Sequence, residues 1–450
     1  MLFRSIKSDL LDSLSLGNPY ELDTRLGVSG MTFKNPFNTS ISTGTTYKDN
    51  IFLLKQSYDL GQKDSIVKDT VTVYMFYPRL RFQNELKFKT SQFLFDDQNP
   101  DSIGYKNYFN FTIPAGKEIT FQDNWKVLND EFSLISYPQK NNSNQFLQLA
   151  TGYTNYTATF PNQTGWSNYD LYAFAAYKNK TRNQLWDMLA SGKLYINGYH
   201  AGDYEANVYL SRILNTKGNY MKLSFQNYNR TPSANLLGRT QFPIIGLAGI
   251  KKENTIDLMG VIGNYKSAWS AQVNYQLINN YNYFSNGYQA NTYGGAISYL
   301  RIQAEQKLKL SSHWNWYNQL NVQLVDQSSP IHVPLLLTRQ RLAFEGNFYK
   351  NLNLSTGLEL IYHTSYKADG YMPLTGQFYT QNNYTLTNRP IANAFLHFMI
   401  KRLKAYIRLE NLNTLIPTSE KLGPSYNFAA QNYPTNSLWF RVGIWWNFIN

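Results

Sequence analysis

Five histidines are the residues of this chain whose type could support catalysis or metal binding: His200, His313, His332, His363 and His397. None has a metal-ligand spacing such as His-Glu-x-x-His. His363 and Ser365 stand two residues apart, as a base and a nucleophile on one strand face would, but such pairs are common by chance. There is no Cys, no glycine-rich phosphate loop and no G-x-S-x-G turn. The sequence therefore predicts neither an enzyme nor a metal or cofactor site.

Charged residues recur between apolar ones in the C-terminal half, and water-facing charges of this kind set the selectivity of a pore. Six are basic and four acidic, which predicts a modest preference for anions. Arg and Glu on neighbouring strands would also pair across the wall and brace it, and the sequence leaves both roles open. The ten pore-lining candidates are Arg301, Glu305, Lys307, Arg339, Arg341, Glu345, Glu359, Arg408, Glu410 and Arg441.

The elements that carry these charges alternate with period two, which is typical of β-strands with two unlike faces. In the last fourteen residues Leu438, Phe440, Val442, Ile444, Trp446 and Phe448 are apolar, whereas Arg441 and Asn447 lie between them. Only 16% of the chain is charged, against about 25% in soluble proteins. No apolar run approaches the ~20 residues of a transmembrane helix. The pattern predicts an outer-membrane β-barrel whose polar face lines the lumen.

The connections between predicted strands alternate between short and long, as they do in transmembrane barrels. We predict an all-β, antiparallel up-and-down barrel of about 16–18 strands over residues 21–450, as one domain. Residues 1–20 are interpreted as a periplasmic N-terminal tail, and the last strand is expected to pair with the segment near 22–33. The long loops 91–127 and 364–390 have the length to fold inward and narrow the lumen.

Aromatic and basic residues suggest partners. Trp269, Trp314 and Trp316 stand beside short turns, with Tyr281, Tyr283 and Phe284 near the opposite strand end. Aromatic girdles at the two membrane interfaces are the favoured interpretation, and an aromatic slide for sugars is the alternative. The formal net charge is +13, but the basic residues are spread along strands. This distribution favours outer-membrane lipid phosphates over nucleic acid as a partner.

Several C-terminal segments resemble a known family. They are the run 371–379 (YMPLTGQFY), the hairpin around 394–403, Tyr433-Pro434 and the ending 442–448 (VGIWWNF). Together they resemble the putative porin family of the Bacteroidota, most strongly over about 180–450. The resemblance implies an outer-membrane barrel with a pore, and it supplies neither a substrate nor a catalytic motif.

These observations predict a porin-like channel of the bacterial outer membrane through which small hydrophilic solutes, with anions favoured, diffuse passively. The alternative is a non-conducting barrel, its lumen closed by loops, that serves other outer-membrane proteins as a structural or accessory subunit.

Overall fold

The chain folds into one large antiparallel sheet, seen here in a computed structural model. The model describes residues 2–8, 43–68, 71–97, 100, 102–109, 111–113, 117–140, 142–161, 163–249, 251–286, 288–348, 351–372, 374–416, 427–431, 433–435 and 437–446. The strands of the sheet are β1 (Leu2–Ser8), β2 (Thr43–Lys68), β3 (Val71–Asp97), β4 (Ile119–Ser136), β5 (Gln145–Thr159), β6 (Trp166–Lys180), β7 (Trp186–Gly198), β8 (Tyr204–Ile213), β9 (Asn219–Arg230), β10 (Glu253–Asn264), β11 (Trp269–Ser285), β12 (Gln289–Lys309), β13 (Trp314–Val325), β14 (Leu336–Phe348), β15 (Leu352–His363), β18 (Ile391–Ile400), β19 (Leu403–Glu410) and β22 (Trp439–Trp446).

The remaining elements lie in the connections between these strands. They are helix α1 (Ser102–Phe109), the hairpins β16 (Gly370–Met372) with β17 (Gln377–Tyr379) and β20 (Phe428–Ala430) with β21 (Tyr433–Pro434), and a 3₁₀ turn (Leu412–Leu415). Among the described residues, no helix is both long and apolar enough to cross a membrane.

Each strand of the sheet pairs with the strand that follows it in the sheet along the chain, always antiparallel. The 18 strands form an up-and-down barrel, as the sequence predicted. Strand β22 pairs with β19 in the register Arg408↔Arg441. The expected partner segment near 22–33 lies outside the described residues.

The N-terminal strands differ most from the prediction. Leu2–Ser8 forms a strand that pairs with β2, within the stretch that the sequence analysis had interpreted as a tail. The sequence pattern predicts strands near 37–47 and 70–90, whereas β2 and β3 are longer, with 26 and 27 residues. The added length of β3 and of β4 reduces the predicted loop 91–127 to residues 98–118.

Ion pairs join the long strands β2 and β3. Arg81 Nε contacts Asp59 Oδ1 at 2.6 Å, and Lys89 Nζ contacts Asp49 Oδ1 at 3.5 Å, both between β3 and β2. Charged residues interrupt the apolar alternation of these strands in the sequence. Because they pair across the strands, the ladder continues through them.

The two faces of the sheet have opposite chemistry. Leu320, Leu342 and Leu358 are directed outward, and Leu358 is 60% exposed. Trp269, Trp314 and Trp316 lie on the same outer face beside the short turns, where an aromatic girdle belongs. The opposite, inner face carries most of the polar residues. In a membrane barrel the apolar face contacts lipid and the other lines the lumen.

Candidate functional site

All ten charged residues predicted to line a pore lie on the inner face. The register joins Glu305 to Gln319 and Gln319 to Arg339 across β12, β13 and β14. It also pairs Arg341 with Glu359, and Arg408 with Arg441. Directly paired residues lie on the same face of the sheet, and every second residue along a strand points to that face. Arg301, Lys307, Glu345 and Glu410 lie an even number of positions from these residues on their strands, and hence on the same face.

Glu359 is the centre of an ionic belt that runs along the inner wall. It is 4% exposed and accepts hydrogen bonds from Arg339 Nε (2.8 Å) and Nη2 (2.5 Å). Arg408 Nη2 donates to its other oxygen at 3.1 Å. Arg408 also contacts Glu410 (3.4 Å), and Arg441 contacts Glu410 at 3.1 Å. These five residues connect β14, β15, β19 and β22, so the bracing role that the sequence left open is present here.

Glu345 is the centre of a second cluster, one strand further along the wall. It accepts hydrogen bonds from Asn315 Nδ2 (2.7 Å) and from the Tyr317 hydroxyl (2.8 Å), while Lys307 Nζ lies 3.4 Å away. Glu305 is instead held by two amides, those of Gln303 (2.6 Å) and Gln319 (3.1 Å). The four acidic candidates are thus each hydrogen-bonded or, as for Glu410, ion-paired.

Two arginines of the set are not neutralised. Among the described residues, Arg301 and Arg341 have no ion pair, and the Nε of each is buried without a hydrogen-bond partner. The Arg341 guanidinium instead lies 4.0 Å from the Phe395 ring centroid and donates to Ser355 Oγ at 3.3 Å. Arg341 also lines a cavity of about 290 Å³, together with Lys307 and Arg339. Glu305 also has no ion pair among the described residues, but with six basic and four acidic residues the ten candidates carry a net charge of +2 (6 − 4).

The long connections fold inward and pack into one apolar cluster, which we call the loop core. It combines residues of the β3–β4, β9–β10, β15–β18 and β19–β22 connections with the inner face of β3 and β4. Phe242 of the β9–β10 connection stacks on Phe93 of β3, with ring centroids 4.6 Å apart. The buried members of the loop core are Phe95, Tyr105, Ile113, Ile119, Phe242, Met372, Leu374, Ala430 and Tyr433.

Polar anchors fix these connections to different parts of the wall. Asp123 of β4 accepts hydrogen bonds from Thr240 Oγ1 (2.5 Å) and from the Gln241 amide (2.8 Å). The amide of Thr380 donates to the Phe284 carbonyl of β11 at 2.8 Å. The β15–β18 connection therefore extends from the loop core at β3 to β11, eight strands away along the sheet. The expectation that loop 364–390 folds inward agrees with this geometry.

The residues considered for catalysis are not assembled into a site. His363 Nδ1 lies 3.0 Å from the Thr364 carbonyl and its Nε2 lies 3.3 Å from Asn388, whereas Ser365 Oγ accepts from Thr387. His363 and Ser365 thus have separate partners. In the described part of the chain, no group of three or more His, Asp and Glu residues could hold a metal ion.

The comparison with known families decides the identity. The sequence profile of the family described as "Putative porin" matches residues 29–450. The chain belongs to the putative porin family. No curated protein matches it.

Solved structures share its fold. A mutant of the ferric enterobactin receptor PfeA from Pseudomonas aeruginosa is 12% identical, with a TM-score of 0.59 over 89% of this chain and 62% of that chain. The copper transporter OprC is 12% identical, with a TM-score of 0.61 over 90% and 66%. The siderophore receptor PirA from Acinetobacter baumannii is 9% identical, with a TM-score of 0.56 over 89% and 62%. The chain thus spans less than two thirds of the length of these structures.

Family and fold together identify a β-barrel of the bacterial outer membrane. The sequence analysis predicted this barrel. It missed Asp123 and Thr240, which are 117 residues apart. A usable signal was the number of large apolar residues in the outer connections, such as Phe242 and Met372, because such residues need a buried place.

Proposed function

We propose that this protein is an outer-membrane channel through which small hydrophilic solutes diffuse passively, with a modest preference for anions. The observation that carries the proposal is the balance of the ten inner-face charges, six basic and four acidic, in which Arg301 and Arg341 have no ion pair among the described residues. Arg341 also lines the cavity, together with Lys307, Arg339 and Glu305. Unpaired positive charge in a low-dielectric wall attracts anions and repels cations. The paired residues, by contrast, hold the wall rigid around the path.

The decisive experiment measures ion flow through purified protein in planar bilayers. Stepwise conductance is expected, with a reversal potential under a KCl gradient that favours chloride. Replacing both Arg301 and Arg341 by Gln should shift the reversal potential towards that of a cation-selective channel. The matched control is Arg212→Gln, since Arg212 lies on the outer face over Trp186, 4.5 Å from the ring centroid, and should leave selectivity unchanged.

The loop core favours a second candidate, a non-conducting barrel that serves as an accessory subunit. Apolar packing that extends across the lumen is the arrangement such a closed barrel needs. A correctly folded protein without conductance would refute the channel. A stoichiometric partner protein, recovered from native membranes, would then support the accessory role.

A further inference from the structure

A cavity of about 270 Å³ lies on the inner side of the barrel wall, away from the ionic belt around Glu359. It is enclosed by the inner faces of β3, β4, β5 and β6 on one side and by the β7–β8 and β9–β10 connections on the other. Those connections are at the barrel end with the long loops. The cavity is lined by Lys89, Ser91, Trp125, Val127, Tyr156, Trp166, Tyr199, His200, Thr231, Pro232, Ser233 and Ala234.

Aromatic rings dominate the wall of this cavity. Trp125 and Trp166 have ring centroids 5.6 Å apart and are inclined by 57°. Tyr199 meets Trp166 edge to face at 4.9 Å, and Tyr156 lies 6.4 Å from Trp166. Inclined rings present π faces in more than one direction. The negative π face attracts C–H groups that carry partial positive charge, as on the apolar side of a pyranose ring.

His200 is held in one orientation at the edge of these rings. Its backbone amide donates to Asp170 Oδ1 at 2.8 Å, and its Nδ1 lies 2.5 Å from Asp170 Oδ2. Asp170 is fully buried, so it fixes the tautomer and the ring position. With Nδ1 bound to Asp170, Nε2 is the ring nitrogen left to bind a ligand hydroxyl.

Two polar groups are buried without partners, one on a lining residue of the cavity and one against the rings of Trp166 and Tyr199. The Tyr199 hydroxyl and Arg239 Nη1 have no hydrogen-bond partner among the described residues. The Arg239 guanidinium lies 4.8 Å from the ring centroids of both Trp166 and Tyr199, which holds it in place. An unpaired buried donor destabilises the fold, so such groups usually have a bound partner.

The charges around the cavity argue against a cationic ligand. Asp170 is paired with His200, and Lys89 is paired with Asp49 at 3.5 Å. No Asp or Glu is among the described residues that line the cavity, and the Arg239 guanidinium lies against the rings of Trp166 and Tyr199. A neutral or acidic ligand with an apolar ring face and several hydroxyls fits both the rings and the free donors.

We propose that this cavity binds a sugar ring of a saccharide, with the ring stacked on Trp125 and Trp166 and a hydroxyl on His200 Nε2. The proposal names a solute class for the channel and in that sense rests on the proposed function. Its test does not depend on conduction, because it measures equilibrium binding.

The experiment titrates the purified barrel with maltose and cellobiose by isothermal calorimetry, in a detergent without a sugar headgroup. Each disaccharide is expected to bind at millimolar concentration or below, whereas the acyclic polyol sorbitol is not. Trp125→Ala and His200→Gln should each weaken binding about tenfold, the loss of one stacking or hydrogen-bonding contact. Trp314→Ala, on the outer face, is the matched control. Heat-modifiable migration on a gel verifies that each variant is folded.

The outcomes separate the two proposals. If the folded protein binds neither disaccharide, or if sorbitol binds equally well, the saccharide site is refuted. Equal affinity in Trp125→Ala, His200→Gln and the control would likewise refute it. Binding without conductance would refute only the channel, and conductance without binding would refute only the saccharide site.

Discussion

Replacing Glu359 by Gln should destabilise the barrel more than any other single neutralisation in the inner wall. The carboxylate accepts two hydrogen bonds from Arg339 and one from Arg408. Gln keeps the shape, but it loses the charge and turns an amide donor towards one of the guanidiniums. Two arginines would then face each other across the site without the acid between them.

The size of the effect follows from burial. Removing one partner of a buried ion pair costs about 3–5 kcal/mol. Here Glu359 is 4% exposed, but the side chains of Arg339 and Arg408 are 47% and 27% exposed. Water can therefore solvate part of the freed charge. We expect a loss of about 2–3 kcal/mol in the free energy of unfolding.

The assay is reversible guanidinium unfolding in lipid vesicles, followed by tryptophan fluorescence and by gel mobility. Glu305→Gln is the matched control, because Glu305 is exposed and bonded to the amides of Gln303 and Gln319. It should change stability by less than about 0.5 kcal/mol.

A double-mutant cycle tests the cause. If the belt carries the effect, Glu359→Gln and Arg339→Gln should be non-additive by about 1 kcal/mol or more. Equal losses for Glu359→Gln and the Glu305→Gln control, or additive effects in the cycle, would refute the reasoning.

Three further perturbations test other parts of the structure. Ile444→Arg, at a position 72% exposed on the outer face, should cost about 2–4 kcal/mol of stability in the same unfolding assay if that face contacts lipid; Ile444→Leu is the control, and equal tolerance of both would show that the faces are misassigned. Asp123→Asn should loosen the β9–β10 connection by weakening its bonds to Thr240 and Gln241, and so raise single-channel conductance; an unchanged conductance would show that this connection does not limit flow. Burial raises the pKa of Asp369, in the β15–β18 connection, from 3.8 to about 6. A raised carboxyl pKa stabilises the fold at low pH and loses that contribution as pH rises through about 6, so this connection should be cleaved by protease faster at about pH 8 than at about pH 5. Asp369→Asn should remove the difference, and its persistence in that variant would refute the assignment.

Period-two alternation made the two faces of the barrel predictable. Leu320, Leu342 and Leu358 point outward and Arg341 and Glu359 inward because neighbouring residues on a strand always point to opposite sides. This rule is local and needs no knowledge of which strands pair. It places all ten charged candidates on one face of the sheet, and their role in lining a pore stays a prediction.

Pairing between charges was not predictable in the same way. Whether Glu359 contacts Arg339, Arg408 or both depends on strand register and on side-chain rotamers. The sequence could only say that opposed charges were possible. The same limit applied to β2, where Asp49 and Asp59 weakened the apolar pattern of a strand that their partners on β3 stabilise.

Gly443 of the last strand, β22, is packed closely against the neighbouring strand. It lies on the inner face and pairs with Tyr406 of β19. A Cβ at this position would overlap the ring of Tyr406 on the neighbouring strand. Substitution here must displace that ring, so its effect on stability and its effect on conductance are coupled, and Gly443 cannot serve as a neutral probe of the lumen.

The loop core and the aromatic cavity depend on the same physical fact. Outer connections that carry Phe242, Met372 and Tyr433 cannot leave these side chains in water, so they bury them against the inner wall. Once the β9–β10 connection is drawn inward, it also covers Trp125 and Trp166 and forms the second side of the cavity. The anchor at Asp123 therefore links two properties, because loosening it would both widen the lumen and open the cavity. A variant that raises conductance through this anchor should, by that reasoning, also bind saccharide more weakly.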